Sequence, residues 1–234
     1  MSYNIINDDA IKWCKNHKGQ VNAIITSIPD MSEIDMNEEE YIKFIENAVN
    51  AICECLTKTG YAIFIQTDRK SRGIIPKDYY ITHQAIINKF RMMFHKIALI
   101  KDVNTNDLYK PTYSHVLCYS RSEKPGRSTP DVFPRGEVLY KNGAGKDTII
   151  KCLEFLKKQK INSVVDPFVG QGTTILLALQ MGFQNCIGID IDKKQCKIAE
   201  KNIKNIKDYL KFFFFFILGY NQRDIFFHSL HLLI

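Results

Sequence analysis

The sequence lacks most of what would place this protein in a membrane or an oxidising compartment. No stretch approaches the ~20 apolar residues of a membrane span, and no N-terminal signal pattern is visible. Its seven cysteines are an odd set without regular spacing. The nearest pair, Cys53 and Cys55, lacks the two-residue spacer of a zinc knuckle and has no partner pair, so structural zinc is not expected. A reduced intracellular location, nuclear or cytoplasmic, is the expectation. There is no internal repeat, no Ser/His/Asp arrangement and no GxGxxG run of the kind that binds a pyrophosphate cofactor. What is present reads as ordinary globular protein: 234 residues, 45% hydrophobic and 24% charged, enough for one domain. The excess of 32 Lys+Arg over 25 Asp+Glu gives a net charge of +7, which suits a polyanionic partner.

Strands and helices alternate along the chain. YNII (residues 3–6) is a short apolar run, followed by a helical stretch with Ile11, Trp13 and Cys14. NAIITS (22–27) reads as a buried strand stopped by Pro29, which cannot donate to a ladder. Tyr41, Phe44, Ala48, Ile52 and Leu56 recur at helical steps, with Gly60 at the place of a C-terminal cap. YAIFIQ (61–66) is a second buried strand, and residues 68–78 form a basic loop. A helix is expected over 79–93, then strands near 97–101 and 115–119, then a Pro- and Gly-containing linker near 121–141. The second half brings a helix around Ile149–Leu156, a strand at 163–166, a helix at 173–181, a strand at 186–190, and a helix lined by Cys196, Ala199, Ile203, Ile206 and Leu210. Such alternation predicts a mostly parallel sheet covered on both faces. The expected domain spans 1–210. The tail, 211–234, contains FFFFFIL, which fits neither helical nor strand periodicity and is taken as a compositionally biased extension of unassigned role.

The densest chemical signal is VVDPFVGQGTTILLALQMGFQNCIGIDID, residues 164–192. A buried strand ends at Asp166, a loop with Gly170 and Gly172 follows, and a helix opens at Thr173. Glycines allow close backbone approach to a ligand, and the helix start offers free N–H donors. The next strand ends about 20 residues on at Asp190, where a carboxylate can accept both hydroxyls of a ribose. DPFVGQGTT resembles the S-adenosylmethionine motif of the amino-methyltransferases that modify nucleic-acid bases, the N4-cytosine/N6-adenine type. The resemblance covers nearly all of residues 3–207. It implies an α/β, doubly wound, mostly parallel seven-stranded sheet of the class I methyltransferase type, with S-adenosyl-L-methionine as cofactor and DNA or RNA as substrate. It also implies that Asp166, Pro167, Phe168, Gly170, Gly172 and Thr173 line the cofactor and that Asp190 holds the ribose. NIINDDAIKWC resembles the family segment whose carboxylate meets the adenine amine, which points to Asp9 or its neighbour Asp8. YKNGAGKDTIIKCLEFL resembles the segment before the cofactor motif, around Asn142 and Gly143.

SIPD, residues 27–30, stands where the family carries its catalytic loop, ahead of the cofactor loop. That order is the permuted one of nucleic-acid amino-methyltransferases and argues against a small-molecule enzyme. An exocyclic amine is a poor nucleophile because its lone pair is delocalised into the ring. Acceptors holding both amine hydrogens draw the nitrogen toward tetrahedral geometry and aim its lone pair at the methyl group. The resemblance assigns those acceptors to the Ser27 hydroxyl and the Ile28 carbonyl, with Pro29 and Asp30 completing the loop. The family pattern is polar–Pro–Pro–aromatic, so Asp30 replaces the ring on which an extruded base would stack. Asp30 is left here between accepting an amine proton, bonding a differently placed base, and serving as a loop or helix-capping carboxylate.

Weaker candidates are the basic loop with Asp68, Arg69, Lys70 and Arg72, and the linker arginines and lysine Arg121, Lys124, Arg127 and Arg135. For both, phosphate contact and a solvated loop are equally open. The lysines of the last helix encircle it and read as a solvated face; His83 and His115 read as ordinary core or surface histidines. About twenty residues separate Tyr119 from Asn142, where related DNA enzymes insert a target-recognition region, so target choice is expected from loops, nucleic-acid shape or a protein partner. Two other readings stay open at this stage. One is a non-catalytic methyltransferase-like subunit that binds nucleic acid for an active partner; the other is a methyltransferase for a protein side-chain amide.

Overall fold

The computed structural model describes residues 2–70, 73–123 and 130–205. In chain order the elements are β1 (Ser2–Asn7), α1 (Ala10–Asn16), β2 (Val21–Thr26), α2 (Glu38–Cys55), β3 (Leu56–Gln66), β4 (Arg69–Lys70), β5 (Ile74–Ile75) and α3 (Lys77–Ile87). There follow β6 (Arg91–Leu99), β7 (Tyr113–Ser120), β8 (Val132–Pro134), α4 (Lys146–Lys158), β9 (Ser163–Asp166), α5 (Thr173–Gln180) and β10 (Asn185–Asp190). Residues 193–205 are helical. The expectations for Arg72, Lys124, Arg127, Ile206, Lys207, Leu210 and the Phe-rich tail concern residues outside the described set.

One sheet organises the molecule, in the order β1-β10-β9-β2-β3-β7-β6-β8. β1, β10, β9, β2 and β3 run parallel, and β7 is antiparallel to both β3 and β6. Period-two alternation divides the side chains between two cores. Ala23, Ile25, Tyr61, Ile63 and Ile65 face the cluster built with α4, α5 and the 193–205 helix. Ile24, Ala62 and Phe64 face the cluster built with α1, α2 and α3. Both faces are buried, which is why these strands are almost continuously apolar. Sequence neighbours β9 and β10 lie to one side of β2, and β3 lies to the other. The chain thus reverses direction across the sheet between β9 and β2, and a crevice opens outside the carboxyl ends of those strands.

Four expectations are corrected. The sheet has eight strands, not seven, because β8 adds three residues parallel to β6 at the edge. The stretch expected as linker therefore contributes to the sheet. The helix expected over 79–93 ends at Ile87, since Lys89 turns left-handed (φ 64°) and Met92 and Met93 already belong to β6. Gly60 caps nothing: α2 ends at Cys55, Leu56 is extended, and Gly60 lies within β3. The cap at the start of α2 is Asn37, reciprocated by Glu40 in a capping box, with Glu38, Glu39 and Glu40 favouring the positive end of the helix dipole. Asp30 is not that cap.

Candidate active site

Asp166, at the end of β9, is buried and bridges to the end of β2: the Thr26 hydroxyl donates to its Oδ1 at 2.7 Å, and Phe168 N–H donates to the same oxygen at 3.2 Å. Burial pushes this carboxyl up to about 6, against the opposing pull of those hydrogen bonds. Two strand ends are thus joined by a poorly solvated carboxyl whose titration is raised toward neutral pH. Such a group favours a cationic ligand.

Asp190, at the end of β10, accepts from Gly170 N–H at 3.0 Å through Oδ2 and from Asp192 N–H at 2.8 Å through Oδ1. Burial outweighs these donors and raises its carboxyl above the usual range. Each oxygen keeps a lone pair for a ligand hydroxyl. Asp9 caps α1, its Oδ1 accepting from Lys12 N–H at 2.7 Å. Asp8 instead pairs with the Lys12 ammonium at 3.0 Å. Of the two aspartates left open by the sequence, it is Asp9 that lines the cavity.

That cavity, about 670 Å³, is lined by Asp9, Asp166, Pro167, Phe168, Gly170, Thr173 and Asp190, and by Asn142 and Gly143 from the loop before α4. The sequence reading missed several other lining residues. Thr26 and Thr174 lie beside motif positions and could have been found there. Phe44 was absorbed into the core face of α2, although its ring meets Phe168 edge-on, centroids 6.0 Å apart. Tyr140 and Glu33 carried no local signal.

Gly172 is the exception among the motif residues. It does not line the cavity; it sits at the left-handed N-cap of α5 (φ 91°), where an added Cβ would meet the Ala199 Cβ at 3.1 Å. The structure gives it a turn and packing role. Gly172→Val should therefore lower stability by ~3 kcal/mol from backbone strain plus overpacking, measured by chemical denaturation without any ligand. Gly170, with open space around its Cβ position, should tolerate alanine better despite its φ of 50°.

The 27–30 loop lies on the wall between this cavity and a second one of about 510 Å³. Ser27 lines both; Pro29 faces the first, and Ile28 and Asp30 the second. Among the described residues the Ser27 hydroxyl has no hydrogen-bond partner, while every later position of the loop is fastened. With its amide assigned the orientation that satisfies both partners, the buried Gln66 at the end of β3 donates to the Ile28 carbonyl (3.3 Å) and accepts from the Ile28 N–H. One lone pair of that carbonyl is thereby engaged and the other stays available. Tyr41 donates its hydroxyl to the Pro29 carbonyl at 2.9 Å. Glu33 accepts from Asp30 N–H at 3.0 Å and from the Asn142 amide at 2.8 Å, tying the loop to the segment before α4.

Asp30 meets the Lys77 ammonium at 3.1 Å and the Arg69 guanidinium at 3.3 Å, and accepts from Ser32 N–H at 3.1 Å. Burial alone would raise its carboxyl, but Lys77, the Ser32 N–H and Arg69 more than offset this and hold it below the usual carboxylate range. Lys77 is only 2% exposed, so the pair is a buried one. The sequence contained no sign of it.

The doubly wound sheet, with a carboxylate-bearing cavity at its switch point, has the class I methyltransferase fold, which solved DNA modification methylases share. Residues 147–201 match the family model described as DNA methylase, which bears out the resemblance read from the cofactor motif. The type II methyltransferase M.MjaII of Methanocaldococcus jannaschii is 39% identical over 59 residues, a match spanning 24% of this chain and 11% of that enzyme. Among solved structures, the candidate DNA modification methylase TTHA0409 of Thermus thermophilus superimposes with a TM-score of 0.68 at 13% identity, covering 87% of this chain and 95% of the other. Its complex with S-adenosyl-L-methionine gives 0.64 at 14% identity, with 88% and 95% covered. PvuII DNA methyltransferase, described as cytosine-N4-specific, gives 0.66 at 13% identity, with 89% and 92% covered.

Proposed function

We propose that this protein is an S-adenosylmethionine-dependent methyltransferase acting on an exocyclic amine of a nucleic-acid base, of the N4-cytosine or N6-adenine type. The observation that carries the reading is the unpartnered Ser27 hydroxyl at the junction of two cavities, one of them bearing Asp9, Asp166 and Asp190. The donor set of that cavity suits the cofactor: Asp190 for ribose hydroxyls, Asp9 for an adenine amine, the Phe168 and Phe44 rings for an apolar purine face, and the Asp166 carboxyl for an ammonium group. The cofactor supplies an electrophilic methyl group. Ser27 and the free lone pair of the Ile28 carbonyl hold the target amine's hydrogens, while Gln66 and Tyr41 keep the loop from yielding.

DNA is the favoured substrate, because the matching family model and the structural relatives are described by DNA modification. The short stretch between β7 and α4 makes a protein partner in target choice part of this reading. The cellular location proposed is intracellular, nuclear or cytoplasmic. Incubation with methyl-labelled cofactor and separate DNA and RNA pools, followed by nucleoside analysis, tests the assignment. Label in N4-methylcytosine or N6-methyladenine supports it, and label in neither refutes it.

The alternative of a non-catalytic subunit is favoured by one feature, the salt-bridged Asp30 in place of a stacking ring. Cofactor binding without transfer to either pool would select it. Asp190→Ala should weaken cofactor binding by about 1–3 kcal/mol, since it leaves ribose hydroxyls unpaired. Isothermal calorimetry measures this directly, and unchanged affinity would remove Asp190 from the cofactor site.

A further inference from the structure

The loop 100–112, which joins β6 to β7, runs beside the second cavity, the target side in the proposed reading, and Ile100, Lys101, Lys110 and Pro111 line that cavity together with Ser27 and Asp30. It is a built loop. At its base, Ile100 N–H and Lys101 N–H both donate to the Thr112 carbonyl, at 2.9 and 3.1 Å. Near its tip the Asp107 carboxylate accepts from Tyr109 N–H at 2.9 Å, from Lys110 N–H at 2.8 Å and from the Lys101 ammonium at 2.6 Å. The Lys70 ammonium, from β4, donates to the Asp107 carbonyl at 3.0 Å. Side-chain and backbone bonds thus hold Tyr109 and Lys110 in one arrangement.

What the loop presents is apolar and unpacked. Val103 is 75% exposed, Leu108 77% and Tyr109 83%. The Tyr109 ring meets no other ring among the described residues, and its hydroxyl has no hydrogen-bond partner there. Within the fold such a ring gains nothing from its own protein, because an aromatic side chain stabilises through area that it buries.

The next residue, Lys110, lines the second cavity together with Arg135 and with three cations that already have carboxylate partners, Lys101 with Asp107 and Arg69 and Lys77 with Asp30. The Lys110 ammonium itself pairs with no carboxylate among the described residues. An exposed aromatic ring next to an unpaired cation suits a single nucleic-acid strand: a base stacks on the ring, and a phosphate meets the lysine.

The catalytic loop has a gap that this surface fits. Asp30 holds the position of a stacking residue but is committed to Lys77 and Arg69, and no aromatic side chain lines the target-side cavity among the described residues. We propose that Tyr109 supplies the missing stacking face, holding a base of the substrate strand at the mouth of the target-side cavity while Lys110 meets an adjoining phosphate. This rests on the nucleic-acid methyltransferase reading and adds to it the element that grips the strand.

The test compares wild type, Tyr109→Ala and Tyr109→Phe. The first readout is transfer of labelled methyl groups to mixed-sequence single-stranded DNA and RNA; the second is anisotropy of a fluorescent oligonucleotide of each kind. Tyr109 is exposed, so its variants should fold, and cofactor affinity by calorimetry should match wild type in all three. Tyr109→Ala should raise the KM for the oligonucleotide and its dissociation constant roughly 5- to 100-fold, with a smaller change in kcat. Tyr109→Phe keeps the ring and should stay near wild type. Unchanged KM and oligonucleotide binding in Tyr109→Ala, with an active wild type, would overturn the inference while leaving the enzyme reading intact, as expected if the patch docks a protein instead. A wild type that neither methylates nor binds either nucleic acid would bring down the parent reading and this inference with it.

Discussion

Ser27→Ala is expected to cut turnover by ~10²-fold while leaving cofactor affinity intact, the scale of losing one preorganised hydrogen bond in a transition state. The residue follows β2 directly and stands on the wall between the two cavities with its hydroxyl unpartnered. Alanine removes the acceptor and disturbs nothing else, since no intramolecular bond is lost. The Ile28 carbonyl, held by Gln66, remains to accept one amine hydrogen, so residual activity should persist. The deficit should lie in kcat and appear equally in kcat/KM, because the interaction strengthens as the amine becomes tetrahedral. Calorimetry for the cofactor and single-turnover kinetics for transfer separate the two effects. Full activity in Ser27→Ala would remove the 27–30 loop from the chemistry.

Asp30→Ala should act first on stability. It leaves the Lys77 ammonium, 2% exposed, without its partner at 3.1 Å, and removing one member of a buried pair costs about 3–5 kcal/mol. Because Asp30 keeps a quarter of its side chain exposed, the lower end of that range is expected. Asp30→Ala combined with Lys77→Met should recover much of the loss, since no orphaned charge remains. Chemical denaturation of the single and double variants measures the coupling.

The pH dependence has a definite sign. The folded carboxyl titrates below its ordinary value, so its stabilisation is complete above the unfolded pKa of about 3.9 and is lost as pH falls through the lower folded value. An acid limb confined below about pH 4 is therefore expected, and activity at neutral pH should show no limb from Asp30. A double variant as unstable as Asp30→Ala alone would contradict the buried-pair account.

Which parts of the site were legible in the sequence follows from how local each part is. DPFVGQGTT is a contiguous strand, turn and helix start, and its glycines, apolar run and paired threonines each report on the backbone immediately around them. Asp190 was legible because a β-α-β unit sets its distance from the loop. The same locality was silent on the surroundings of Gly172: the motif marks a glycine but does not say what packs beside it, and here Ala199 does. Gly60 misled for a related reason, since a glycine after a helical run can belong equally to a cap or to the next strand.

Long-range partners left no trace in any window of sequence. Asp30 could be read as cap or base, and its partners Arg69 and Lys77 lie 39 and 47 positions away. The Thr26–Asp166 bond spans 140 positions, and Gln66 reaches Ile28 from the neighbouring strand. The sequence by itself determined the alternation of strands and helices, the parallel two-faced sheet, the cofactor loop and the order of the two loops. All of these follow from periodicity and turn chemistry that act over a few residues. Only the tertiary structure decided that Asp9 rather than Asp8 lines the first cavity, that Asp30 is a locked ion pair, that β8 extends the sheet, and that Tyr109 stands exposed next to Lys110, which lines the second cavity. Each of these depends on which strand ends the sheet order brings side by side, and that order is set by packing across the whole chain.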